Sequence, residues 1–151
     1  MSAASTVLTW LLRLAGAFTS TAFLAMFLPV DWMAAIHSAA GLGELPRAPV
    51  VDYLARSVAA FYGFHGVLLV LVSTDLVRYR PFVWYVAVLN VVFGLILLAI
   101  DVHAGMPLVW TLFEGPSIIV FGVIVGLLNR SLGPFSRSSG EPHHGAGPTM
   151  S

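Results

Sequence analysis

Arg56, Tyr62 and His65 lie within one apolar stretch, Asn90 within the next with Asp101 at its end, and Trp110 and Glu114 within the last. A charged side chain in the centre of a bilayer costs about 2.5–3.5 kcal/mol on insertion scales. Arg56 is therefore expected to face inward and pair with Glu114, with Asp101 the competing partner at similar depth. Such a pair either fixes helix register or supplies the charged part of a ligand or ion site. His65 and Asn90 fall near mid-helix, with Arg56 outward of His65 on the same helix by about 13 Å at 1.5 Å per residue. The simplest expectation for them is an interhelical hydrogen bond worth roughly 0.6–2 kcal/mol. A mid-helix histidine also raises a b-type haem, which needs a second His or Met ligand at matching depth. His103 is too near the end of its stretch and His37 lies in a connection. No cofactor is predicted, and haem or quinone stands as the alternative. His143 and His144 are adjacent in the tail and lack further ligands, so no metal site is expected.

Glu114, Gly115 and Pro116 place a carboxylate, a residue without a side chain and a helix breaker at one level. A proline inside a helix removes one hydrogen bond and clashes with the carbonyl four residues earlier, here that of Leu112. Broken helices with spare acceptors recur at transport sites. The expectation is a pocket between the second, third and fourth helices. Trp110 and Tyr62 would line it, Arg56 would supply the opposing charge and His65 its floor. A concave, mainly apolar site of this kind suits a small amphipathic molecule. The competing account is a static bend with the polar cluster fully self-satisfied.

The elements that must position these residues are four apolar stretches, at about residues 7–30, 51–77, 82–100 and 106–128. A spanning helix needs roughly 20 apolar residues. Backbone groups in hydrocarbon must pair within their own segment, so each stretch must be helical. Composition agrees: 58% of the 151 residues are hydrophobic and 9% charged, against about 25% charged in a soluble domain. The fold class is an all-α integral membrane protein, a four-helix transmembrane domain over 1–130 with a disordered tail over 131–151 rich in Ser, Gly and Pro. A short interfacial helix is expected at 31–40, with Asp31 as its N-cap and Trp32 at the membrane interface. Gly122 and Gly126 form a GxxxG pair, with Gly115 on nearly the same face. That stripe packs against a neighbouring helix of the chain or forms a homo-oligomer interface.

Arginine placement sets the orientation. Arg13, Arg78, Arg80, Arg130 and Arg137 fall on one side, Arg47 and Arg56 on the other. The positive-inside rule then puts both termini in the cytoplasm. The first ten residues carry no basic side chain, so the first stretch reads as an uncleaved helix. Net charge is zero and there is no lysine, which does not suit a nucleic-acid binder. The absence of cysteine excludes thiol catalysis, disulfides and cysteine-ligated clusters. No Walker loop, dinucleotide fingerprint, HExxH or GxSxG motif is present.

The runs DWMAAIH, YLARS, FYGFHG, RYRP and GMPLVWTLFEGP, spread over roughly residues 29–116, resemble those of small four-helix bacterial membrane proteins. In size and helix count the chain is more loosely similar to DoxX-like proteins. The first resemblance implies the bacterial inner membrane and supplies no catalytic residue. The second implies an accessory to a respiratory or quinone-linked enzyme. The expected function is that of a non-enzymatic accessory or small-ligand-binding protein, with the bilayer and a further membrane protein as partners. The alternatives are a quinone-linked or haem-containing redox subunit and a small oligomeric transporter.

Overall fold

A computed structural model describes residues 2–132. The tail expected to be disordered, including His143 and His144, lies outside the described residues except at its first two positions. All regular structure among the described residues is helical: α1 (Ala3–Ser20), α2 (Ala22–Ala25), α3 (Val30–Ala39), α4 (Pro49–Val72), α5 (Arg80–Ala104) and α6 (Leu108–Arg130). Four helices are long and apolar enough to cross a membrane: Ala3–Ala25, which joins α1 and α2, and α4, α5 and α6. Each matches one apolar stretch of the sequence, with ends displaced by a few residues.

The ends have local causes. Ser2 caps α1 by accepting a hydrogen bond from the Ser5 N–H at 3.2 Å. At Thr21 the first span is interrupted, and the Thr21 hydroxyl donates to the Phe18 carbonyl at 2.6 Å. The N-cap of α3 is Pro29 rather than Asp31. Asp31 sits in the first turn instead, where a carboxylate favours the helix dipole, and pairs with Arg47 at 3.0 Å. The second span ends at Val72 rather than near residue 77, because Asp75 accepts from the N–H groups of Val77 and Arg78 and builds a turn. Gly105 closes α5 in the left-handed region at φ 66°. Helix α6 runs without interruption through Pro116.

The long helices form two tightly packed pairs. The span α1–α2 lies on α4, and α5 lies on α6. Glycines set both contacts. A Cβ on Gly16 would meet the Gly66 carbonyl oxygen at 2.7 Å, and one on Gly94 would meet that of Gly115 at the same distance. Backbones this close leave no room for a side chain. Gly115, Gly122 and Gly126 are buried on the α5 side of α6. The small-residue stripe is thus taken up within the chain.

One apolar core ties the two pairs together. It contains Leu8 and Leu12 of α1, Leu69 and Val72 of α4, Leu76 of the α4–α5 connection, Val83, Val86 and Ala87 of α5, and Val125 of α6. These residues gather at the end that carries the N-terminus, the α4–α5 connection and the C-terminus of α6, termed the basal end. Asn129 is fully buried there, and its side-chain amide has no hydrogen-bond partner among the described residues. Next to this core, from mid-depth toward the opposite, distal end, the two pairs part around an open cavity.

Candidate functional site

The cavity measures about 940 Å3 and is lined by all four spans, at the upper end of the range for small-molecule sites. From α4 it receives Val58, Phe61, Tyr62, His65 and Leu69, which recur at helical spacing along one face. From α5 come Leu89, Asn90, Phe93 and Leu97, and from α6 Ser117, Ile118 and Phe121. The first span contributes Phe18 and the polar residues at its break, Thr19 and Thr21. The walls are mainly apolar, with a few polar groups that converge from different helices. Phe18 and Phe61 are also 79% and 75% exposed, so both reach from the cavity to the outer surface of the helix bundle.

Three of the expected site residues meet here: Tyr62, His65 and Asn90. The Tyr62 ring packs edge-on to Phe93 at 6.4 Å, which joins α4 to α5 across the cavity. The expected His65–Asn90 hydrogen bond does not form. The Asn90 amide donates instead to the Val86 carbonyl of its own helix, at 2.8 Å, the local alternative open to short polar side chains in helices. The two side chains line one space from opposite helix pairs. Among the described residues, the lining holds one imidazole and no methionine, so it offers a single protein ligand to a haem iron.

The expected Arg56–Glu114 ion pair is overturned. Arg56 Nε lies 2.9 Å from Asp52 Oδ1, one turn earlier on α4. Its two terminal nitrogens donate to the Met26 and Leu28 carbonyls. The first span stops at Ala25 and leaves backbone acceptors without intrahelical donors. A guanidinium with five donors satisfies those acceptors and a carboxylate together. Asp101 does not pair with Arg56 either. It is 4% exposed, and its Oδ2 has no hydrogen-bond partner among the described residues.

Glu114 accepts a hydrogen bond from the indole N–H of Trp110, one turn earlier on α6. With Val109, Phe113 and Ala40 at the end of α3, these two residues line a smaller pocket of about 330 Å3. The expected single pocket is thus two neighbouring spaces. One is a large apolar cavity with Tyr62, His65 and Asn90; the other is a smaller acidic, aromatic pocket with Trp110 and Glu114. Arg56 lines neither.

Two contributors were not singled out in the sequence. Asp52 was signalled by its i,i+4 spacing to Arg56, an ordinary helical ion-pair pattern. The break at Thr21, which gives the cavity two polar wall positions, had no comparable signal, because the apolar run continues through it.

Compared with known proteins, the chain matches no family model, no curated protein and no solved structure.

Proposed function

We propose that this chain is a multi-pass membrane protein that binds a small amphipathic molecule between its two helix pairs and acts as a non-enzymatic accessory or ligand-binding protein. The observation that carries this reading is the 940 Å3 cavity lined by all four spans, with Tyr62, His65 and Asn90 among apolar walls. A molecule that dissolves in lipid and carries one polar end suits such a space. Phe18 and Phe61, which line the cavity and also reach the outer surface, mark the side from which a lipid-dissolved molecule enters.

Four spans of 23 to 25 residues support membrane insertion by length and composition. The basal end gathers Arg13, Arg78, Arg80 and Arg130, and the distal end carries Arg47 and Arg56. This bias supports a bacterial inner-membrane orientation with both termini cytoplasmic and the distal end outward, the cavity lining falling near the middle of the spans.

The experiment is mass spectrometry of small molecules that co-purify with the protein in mild detergent, compared with an Ala22→Trp variant, which fills the cavity from Ala22 in its lining. The expected result is a stoichiometric lipid-soluble molecule that the folded variant no longer retains. Equal retention by both proteins, or no retained molecule, would remove the proposal. A quinone-linked role is the second reading. It is favoured by the Tyr62 hydroxyl and the His65 ring, three residues apart on the cavity face of α4, which can donate to the carbonyls of a quinone. A quinone among the co-purified molecules would select it.

A further inference from the structure

Beyond Tyr62, toward the distal end, the cavity-lining faces of α5 and α6 each continue into a carboxylate. Asp101 stands one turn past Leu97 on α5, and Glu114 stands one turn before Ser117 and Ile118 on α6. Residues four apart share a helix face: Glu114 continues the cavity-lining face of α6, and Asp101, four residues from Leu97 and seven from the α6-packed Gly94, stands where the cavity face of α5 meets its contact with α6. Among the described residues, no basic side chain forms an ion pair with either. The two ion pairs among the described residues are Arg47–Asp31 and Arg56–Asp52, and they use both distal arginines.

The two carboxylates stand near the distal ends of α5 and α6, the two helices of one tightly packed pair. Asp101 is 4% exposed, with Oδ2 unpartnered among the described residues. The side-chain hydrogen bond that Glu114 accepts comes from a neutral indole. Buried negative charge without a counter-charge is unfavourable in apolar surroundings. What surrounds Glu114 is aromatic: Trp110 and Phe113 line its pocket. Aromatic faces attract cations, and Trp does so best. A carboxylate beside such rings provides the counter-charge and a carbon-compatible wall at once.

We infer that this distal corner binds the positively charged head of an organic cation, a protonated amine or quaternary ammonium, whose apolar body lies in the cavity between the helix pairs. The inference rests on the reading that the cavity holds an amphipathic molecule, and it names that molecule's charge. The described residues contain no group of three or more His, Asp or Glu able to hold a metal ion, and the aromatic walls suit a carbon-rich cation rather than a hydrated one.

The test uses two probes of nearly the same shape and opposite charge, tetraphenylphosphonium and tetraphenylborate. Each is titrated against the full-length protein in lipid nanodiscs, with N-phenyl-1-naphthylamine as a neutral probe. The phosphonium is expected to bind saturably and the borate not. Glu114→Gln keeps an acceptor for the Trp110 indole and removes only the charge; it should weaken phosphonium binding by roughly tenfold or more, since charged hydrogen-bonding partners contribute more than neutral ones. The neutral probe should be unaffected. Asp101→Asn is expected to act in the same direction, and it carries the test if Glu114→Gln does not assemble. Equal binding of the two ions, or phosphonium binding unchanged in both variants, would overturn the cation assignment. Neutral-probe binding that Ala22→Trp abolishes would still support the cavity. No saturable binding of any probe would overturn the cavity reading together with the cation assignment.

Discussion

At the scale of single residues, Arg56 shows how a charge within a long apolar helix is settled by what lies nearest. Its partners are Asp52 and the Met26 and Leu28 carbonyls. Arg56→Leu removes all of these donors, whereas Asp52→Asn leaves the carbonyl bonds intact. The arginine variant should therefore be the less stable of the two, by about 1.5–3 kcal/mol for the charged hydrogen bonds lost. Thermal unfolding in detergent reads the difference. A double-mutant cycle should find coupling between positions 56 and 52 and additivity between 56 and 114. Asn129 gives the opposite expectation. It is fully buried and its amide makes no hydrogen bond among the described residues. Asn129→Leu, close in volume and without polar atoms, should leave stability unchanged or raise it by about 1–3 kcal/mol, the usual penalty for an unsatisfied buried polar group. A lower melting temperature for this variant would show that the amide has a partner after all.

At the scale of elements, the α5–α6 contact separates two glycines that look equivalent in the sequence. A Cβ at Gly122 would meet the Ala87 carbonyl oxygen at 2.7 Å, while one at Gly126 would meet the Ala87 Cβ at 3.5 Å, an ordinary contact. Backbone cannot give way as a side-chain tip can. Gly122→Ala should cost about 1–3 kcal/mol, as overpacking does. Gly126→Ala should be neutral or mildly stabilising, since alanine is the better helix former. Similar losses at both positions would mean that the pairing has another register. The break at Thr21 is likewise held from outside its own segment. Gly66 leaves room for Ser20, Gly63 for the Phe23 ring, and Arg56 binds the carbonyls beyond. Helix α4 is therefore the template on which the end of the first span is laid.

At the scale of the whole molecule, the basal core and the distal cavity divide the chain into a closed end and an open one. Apolar side chains from four helices meet at Leu12, Leu69, Val86 and Val125; further along, the space between the pairs is wide enough to hold a small molecule. The orientation proposed for this arrangement has a direct check. Alkaline phosphatase fused after the last residue should be inactive, and the same enzyme inserted in the α3–α4 connection should be active. The reverse pattern would turn the distal end toward the cytoplasm and overturn the orientation.

The sequence alone determined the helices, because a run of about 20 apolar residues has one way to satisfy its backbone in hydrocarbon. It also determined which polar residues would be notable, since few are present to choose among. Pairing was another matter. The match of Arg56 with Glu114 rested on depth along two helices, and depth carries no information about rotation or about how far apart the helices stand. Local acceptors won instead: Asp52 one turn away, the carbonyls at the end of the first span, and for Asn90 the carbonyl of Val86. The sequence also marked the close-approach glycines without saying which helix each would meet. Only the tertiary structure decided that they build two pairs, and that the pairs part toward the distal end. Packing between helices depends on which faces meet, and a linear order of residues leaves that open until the whole chain is assembled.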